Sequence, residues 1–593
     1  MRVLRAVFAG IFIAAVVSPA VARAEETAYA YPPIAVVPRP RDEHVEPGSF
    51  VWPARARIAT LNAADRDAAV QLRTYLAENG VTAVLASRAA RADVVLERSK
   101  HNDPRLGDEG YALRVRRNGI TLRANGASGL FYAVQTLEQI SGRSRHRLLS
   151  RAVTITDRPA YRWRGIHLDT ARHFFAVPVI ERYIAVAAHY KLNVFHWHLT
   201  DDQAWRLRSD RYPALASGSA YSRADVDRVV AYAARRHVTV VPEIDLPGHA
   251  AAVLRAYPKL GCGHDTLCTT GAGLDFARDV LGEAIAAFPS PYVHAGGDEV
   301  PSPMSAVQPR FTRQIEAYVR SRGRRLIGWD EIFTPQLARS AVVMAWTSPK
   351  RAAAAAHHGN DVVRASGALY FDAAQGDAAQ EPRASPHMST LQQVYDYTIA
   401  PAGLTTAEAA HVIGGQANVW TEHIAGAGHL FYMTLPRELA LAETLWTPRE
   451  RKTWDSFVTR LPPQFVWLDA HHYPFRIPNA SFDVSGGPAV FQAVRGHVQS
   501  VTAWTSARSV TVALGVPLLD AVIRYTSNGD APSAASRAYN GPFTVPVRAT
   551  PTRIRAAAFF HGRMGAVTEC AIVRRTPHAP RTGSKSWRSL VSP

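Results

Sequence analysis

Leu192-Asn193-Val194-Phe195-His196-Trp197-His198-Leu199-Thr200-Asp201-Asp202 is the stretch that decides the fold. It is an apolar-rich run of strand length that breaks off into a hydroxyl and two carboxylates. A helical pattern, Val177 to Tyr190, precedes it, and another, Ala224 to Arg236, leads to the next apolar run at Val238 to Ile244. The rhythm of strand, loop and helix persists from Arg162 to Trp446, with further candidate strands at Trp163 to Leu168, Tyr292 to Ala295, Arg325 to Trp329, Val342 to Trp346, Asp361 to Ser366 and Val412 to Trp420, and a helical pattern at Phe276 to Phe288. Eight βα repeats in about 300 residues predict an α/β fold, a (β/α)8 TIM barrel, for this part of the chain. A doubly wound sheet is the alternative, but no Gly-rich phosphate loop follows the first strand.

In a barrel, chemistry sits where strands end and βα loops begin. Polar and aromatic residues gather at those ends here: Asp169 and Arg172, then Thr200-Asp201-Asp202, then Asp245 and His249, then Asp298-Glu299. Trp329, Trp346, Tyr370 with Asp372, and Trp420 with Glu422 complete the ring. Aromatic faces stack on C–H-rich pyranose rings while carboxylates hold hydroxyls, so the set reads as a sugar site. The acidic pair lies in His294-Ala295-Gly296-Gly297-Asp298-Glu299-Val300. Adjacent strand residues face opposite ways, so the chain must turn there for both acids to serve one ligand, and the two glycines permit it.

The flanks have other compositions. A basic start, an apolar run from Ala6 to Val17 and Ala22-Arg23-Ala24 have the order of a secretory signal peptide over residues 1–24, which predicts an exported protein, periplasmic or secreted. No later segment has the ~20 uninterrupted apolar residues of a membrane span. Residues 30–157 mix short strands (Asp93 to Leu96, Tyr111 to Arg116, Gly119 to Ala124) with helical patterns (Ala63 to Glu78, Gly129 to Ile140) and predict an N-terminal α+β domain before the barrel of 158–460. Alternating strands at Val510 to Ala513, Val522 to Thr526 and Arg553 to Phe559 predict a small C-terminal β-sandwich over 484–573, followed by a basic, disordered tail at 574–593.

The net charge is +19, yet only six of the 68 basic residues are lysines and the arginines are spread along the chain. That pattern argues for a compositional bias and against a nucleic-acid partner. In an oxidising compartment Cys262 and Cys268 are candidates for a local disulfide; metal ligation with His264 is the alternative, although no second ligand pair sits at zinc spacing. Cys570 is left over as a buried free thiol.

The chain resembles the β-N-acetylhexosaminidases of glycoside hydrolase family twenty, the chitobiase group. The resemblance rests on Arg164-Gly165-Ile166-His167-Leu168-Asp169-Thr170-Ala171-Arg172-His173-Phe174, on His196-Trp197-His198-Leu199-Thr200-Asp201-Asp202-Gln203, on Pro242-Glu243-Ile244-Asp245-Leu246-Pro247-Gly248-His249 and on the Gly-Gly-Asp-Glu turn. Residues 109–132 are similar to the family's non-catalytic N-terminal domain, and residues 523–543 to the chitobiase C-terminal module. Two departures are Ala373-Ala374 after Tyr370-Phe371-Asp372 and a short loop after His249.

The resemblance implies roles. Arg172 and Glu422 would hold ring hydroxyls, with Asp372 also in the substrate site. Trp420 would be the platform beneath the sugar, Trp329 and Trp346 would wall the acetamido group, and Tyr370 would donate to its oxygen. Asp298 would steady the acetamide nitrogen and Glu299 would be the general acid/base, backed by Asp201 and His249. The substrate's own acetamido oxygen would attack C1, giving an oxazolinium that water opens with retention, as in the substrate-assisted families. That scheme asks for an ionised Asp298, a protonated Glu299, no metal and no cofactor. The partner is then an oligosaccharide or glycoconjugate ending in N-acetylhexosamine. The rival readings are a disaccharide-releasing, lacto-N-biosidase-like or transglycosylating enzyme and, more remotely, a non-catalytic carbohydrate-binding protein.

Overall fold

The computed structural model describes residues 34–575 apart from 87–91, 145, 217, 486–488 and 491–499. The proposed signal segment and residues 576–593 of the proposed tail lie outside the described residues, while Arg574 is the last residue of a strand, Thr568–Arg574.

Eight parallel strands close the central barrel: β1 (Trp163–Asp169), β2 (Val194–His198), β3 (Thr239–Glu243), β4 (Tyr292–His294), β5 (Arg325–Trp329), β6 (Val342–Ala345), β7 (Asp361–Arg364) and β8 (Val412–Ala417). Every residue of β1 and β2 is buried, as expected of parallel strands covered on both faces. Helices α1 (Val177–His189), α2 (Arg223–Ala234), α3 (Gly271–Ala287), α4 (Gln308–Ser321) and α5 (Pro349–His358) cover the outside. Their starts follow local chemistry. Pro178 opens α1, Ser222 and Asp225 form a reciprocal capping box on α2, and Ser348 caps α5, which ends on left-handed Gly359.

The alternation predicted from sequence breaks once. Between β5 and β6 there is no α-helix, only a 3-10 turn, Asp330–Ile332, and a loop. β8 is also shorter than its apolar run suggests, because the backbone leaves the barrel after Ala417 and carries Asn418 to Trp420 over the mouth.

Ahead of the barrel, an eight-stranded sheet and two helices, Arg66–Glu78 and Ala127–Gln139, form the α+β unit. It is bolted to the barrel by the fully buried Arg164, whose Nη1 and Nη2 donate to Glu109 at 2.8 and 2.9 Å. Helix Trp454–Ala470 leads to two C-terminal sheets of three and seven strands, with Cys570 buried between them as a free thiol. Among the described residues no helix is long and apolar enough to cross a membrane.

Candidate active site

The βα loops line a pocket of about 450 Å³ at the carboxyl end of the barrel, within the range of roughly 300–1,000 Å³ usual for small-molecule sites. All eleven residues assigned to the site from sequence border it: Arg172, Asp201, His249, Asp298, Glu299, Trp329, Trp346, Tyr370, Asp372, Trp420 and Glu422.

The turn after β4 separates the acidic pair. Gly296 and Gly297 have φ of +63° and +94°, and a Cβ on Gly296 would lie 1.6 Å from Asp245 Oδ1, so only glycine fits. Gly297 N donates to that same oxygen at 3.2 Å. Glu299 itself takes a left-handed φ of +49°, a conformation costly for a residue with a side chain and common at functional sites. The outcome is two unlike carboxyls: Asp298 is buried with Oδ1 unbonded, whereas the Glu299 side chain is 61% exposed.

His249, also left-handed, stands behind them. Its Nε2 lies 3.7 Å from Asp298 Oδ2 and 3.6 Å from Glu299 Oε2, and its Nδ1 lies 3.4 Å from Asp201 Oδ1 and 3.5 Å from Asp202 Oδ2. Burial would discharge this ring, but Asp201 and Asp202 push its pKa up to about 12, so it is an imidazolium among four acids. The disulfide Cys262–Cys268 is formed, and its hairpin braces this corner: Asp265 O accepts from Ala250 N at 3.0 Å and Pro247 O from Leu267 N at 2.9 Å.

Asp298 is shielded from solvent. Burial, reinforced by Asp245, raises its carboxyl well above the ordinary range. A positive charge developing beside it would favour its ionised form, as the His249 imidazolium already does.

On the opposite wall Trp329 is 1% exposed and donates Nε1 to Glu243 at 2.8 Å; Trp346 donates to Glu331 Oε2 at 2.9 Å. Burial raises Glu331 to about 7. Tyr370 OH lies 3.3 Å from Trp346 O. Trp420 sits 5.7 Å from the Trp329 ring with the Arg172 guanidinium 5.2 Å over it. Arg172 is tied to Asp201 Oδ2 at 2.7 Å and stands 3.9 Å from Glu422 Oε1. Asp372 is buried, and desolvation raises it to about 6.

Buried imidazoles lie beneath the site, and His167, His196 and Glu243 come close enough for a metal cage. The tautomers argue against one. His167 Nδ1 accepts from the Val419 backbone N–H at 3.3 Å and His196 Nδ1 from Gln416 Nε2 at 2.9 Å. Each neutral ring therefore carries its proton on Nε2, the atom a metal would need.

Sequence reasoning missed Glu243, His198 and Glu331, as well as Ser385, Pro386, His387, Asn418 and His423 at the pocket wall. The only signals for the first three were a polar residue inside an apolar strand and an Asp-Glu pair after Trp329.

A barrel with an acidic pair, a ring of aromatics and further charged side chains at its carboxyl end has the make-up of a carbohydrate-active enzyme. The comparisons narrow the class. The catalytic domain of glycosyl hydrolase family 20 matches residues 161–449, its domain 2 matches residues 33–158, and the chitobiase/beta-hexosaminidase C-terminal domain matches residues 502–569. The chain is 37% identical to a beta-hexosaminidase of Porphyromonas gingivalis over 63% of this chain and 55% of that one. It is 36% identical to a beta-N-acetylhexosaminidase of Cellulomonas fimi over 62% of this chain and 79% of that one. A mutant Streptomyces plicatus beta-hexosaminidase solved in complex with its product GlcNAc is 30% identical, with a TM-score of 0.69, 74% of this chain and 96% of that chain being covered. The chain belongs to glycosyl hydrolase family 20.

Proposed function

We propose that the chain is an exo-acting β-N-acetylhexosaminidase that removes terminal β-linked N-acetylhexosamine with retention, the substrate's acetamido oxygen serving as nucleophile. The observation that carries this reading is the pairing of a buried carboxyl, Asp298, with an exposed one, Glu299, beside a slot walled by Trp329, Trp346 and Tyr370. The slot suits a methyl-bearing amide. Asp298 beside it suits the amide N–H, and a positive oxazolinium would favour release of the Asp298 proton. Glu299 reaches the mouth, where a leaving oxygen would collect its proton. Trp420 offers a floor for the ring, and Arg172, Asp372 and Glu422 offer partners for hydroxyls.

An intramolecular nucleophile is worth up to ~7–11 kcal/mol of barrier through proximity, so the arrangement needs no second protein carboxylate across the sugar. Product complexes of a similar enzyme with GlcNAc support the sugar assignment. An exported location belongs to the same proposal, supported by the signal-like first 24 residues and by a disulfide suited to an oxidising compartment.

Product analysis on chitooligosaccharides, glycan trimmings and muropeptides tests it. Stepwise release of N-acetylhexosamine from the non-reducing end is expected. Release of disaccharide units would favour the lacto-N-biosidase-like reading.

A further inference from the structure

Glu243, the last residue of β3, is fully buried under the pocket floor, where no reacting group is needed. Its two oxygens serve different halves of the site. Oε1 accepts the Trp329 indole N–H at 2.8 Å, and Oε2 accepts from His198 Nδ1 at 2.5 Å. The other nitrogen of His198 donates to Asp201 Oδ2 at 2.9 Å, and the same Asp201 oxygen holds Arg172 Nη1 at 2.7 Å. A ring with a carboxylate on each nitrogen carries a proton on both, so His198 is an imidazolium in a chain of alternating charge.

We propose that Glu243 is a positioning residue for the hydrolysis: through Trp329 it sets the acetamido wall, and through His198 and Asp201 it sets the guanidinium that reads the sugar hydroxyls. This rests on the reading of Trp329 and Arg172 given above. Two donors bond to the Glu243 carboxylate, and two further imidazoles stand beside it. Besides Trp329 and His198, His196 Nε2 lies 3.1 Å from Oε2, and His294 Nδ1, which accepts the Gly296 backbone N–H at 3.1 Å, lies 3.0 Å from Oε1. Burial alone would raise this acid, yet the surrounding imidazoles hold it well below the ordinary carboxylate range. The groups facing His198 are Glu243 and Asp245 from β3 and its loop, His196 from β2, Asp201 from the loop after β2, Asp169 and His167 from β1, and Trp420. Only Glu243 and Asp201 bond to the ring, and removing the Glu243 charge leaves Asp201 alone to keep it protonated.

Glu243→Gln tests this, because the amide keeps the shape and deletes the charge. KM for a 4-nitrophenyl 2-acetamido glycoside should rise about tenfold, the size of one charge-assisted hydrogen bond, with kcat changing much less. KM should also acquire a pH dependence in the imidazole range. It should rise with pH as His198 discharges and Asp201 competes harder for Arg172. Dependence on leaving-group pKa should stay that of the parent, because Glu299 is untouched. A variant that loses Tm but keeps the parent KM at every pH would reduce Glu243 to a structural role and overturn the proposal. So would a loss confined to kcat. If Glu243→Gln does not fold, replacement of Trp329 by 3-benzothienylalanine keeps the bicyclic ring and deletes the N–H donor; it should raise KM without the new pH dependence, and an unchanged KM would overturn the proposal. The parent is first assayed on the 2-acetamido glycoside and its 2-hydroxy counterpart, and a failure there strikes the nucleophile assignment rather than this one.

Discussion

Asp245 and Asp298 lie with carboxyl oxygens within 4.8 Å of each other, His249 beside both, in a pocket that buries the two acids. Like charges at that distance resist joint ionisation, and burial with Asp245 raises Asp298 while Asp245 itself rises to about 7. The pair behaves as one titrating unit.

The first prediction follows from that unit. If the transition state needs ionised Asp298, kcat/KM must rise with pH on the acid side as the pair loses its proton. Asp245→Asn removes the neighbouring charge and keeps an oxygen for Gly297 N, so Asp298 ionises more easily and the limb should move to lower pH. A pH–rate profile checks this; a limb that moves upward or stays in place contradicts the sign.

The two site carboxyls should also fail differently. On the proposed roles Glu299→Ala removes the proton donor, so glycosides with poor leaving groups should lose ~10²–10⁴-fold in rate, while those with very acidic phenols are partly spared. Asp298→Ala should depress both kinds alike, because the acetamide must be steadied whatever the leaving group. Rates across a series of aryl glycosides of graded phenol pKa separate the two.

In the proposed function Trp420 offers a ring to the sugar; its centroid lies 4.6 Å from that of His167 and 5.7 Å from that of Trp329. Trp420→Ala should weaken substrate binding by ~1–3 kcal/mol through lost stacking and apolar burial, with the fold intact. Inhibition constants for a thiazoline analogue of the oxazoline, read beside circular dichroism, measure the effect.

The disulfide hairpin should matter for stability and, through His249, for rate. Cys262→Ser should cost roughly 2 kcal/mol by chain entropy. Because Asp265 and Leu267 hydrogen-bond on either side of His249, kcat/KM should fall modestly as well. Thermal unfolding and activity with and without reductant test both effects.

What could be read from sequence was what periodicity and end chemistry encode. Arg325–Trp329 matches its predicted bounds because a short apolar run between polar flanks has one reading. Val412 to Trp420 was overextended because Asn418 to Trp420 leave the barrel over the mouth, and local pattern does not report where a strand stops pairing. Strand Asp42–Val51 is charged and interrupted by Pro47, and it becomes a strand by pairing with Arg147–Asp157, which also pairs with Tyr111–Arg116. Residues at the mouth were visible because acids and tryptophans punctuate strand ends. Glu243 and His198 were not, because their partners come from strands 45 to 86 positions apart in sequence. The upward shift of the Asp298 carboxyl has a related origin: it depends on burial and on Asp245, which reaches it only through the fold.

The claim on which the rest depends is that the substrate's acyl oxygen is the nucleophile. Progressive fluorination of the N-acyl methyl group makes that oxygen a poorer donor while changing shape little. Across N-acetyl, N-monofluoroacetyl, N-difluoroacetyl and N-trifluoroacetyl aryl glycosides, kcat/KM should fall steeply and monotonically, and the matching 2-hydroxy glycoside should not react measurably. A flat series, or comparable hydrolysis of the 2-hydroxy glycoside, would contradict substrate assistance in this enzyme.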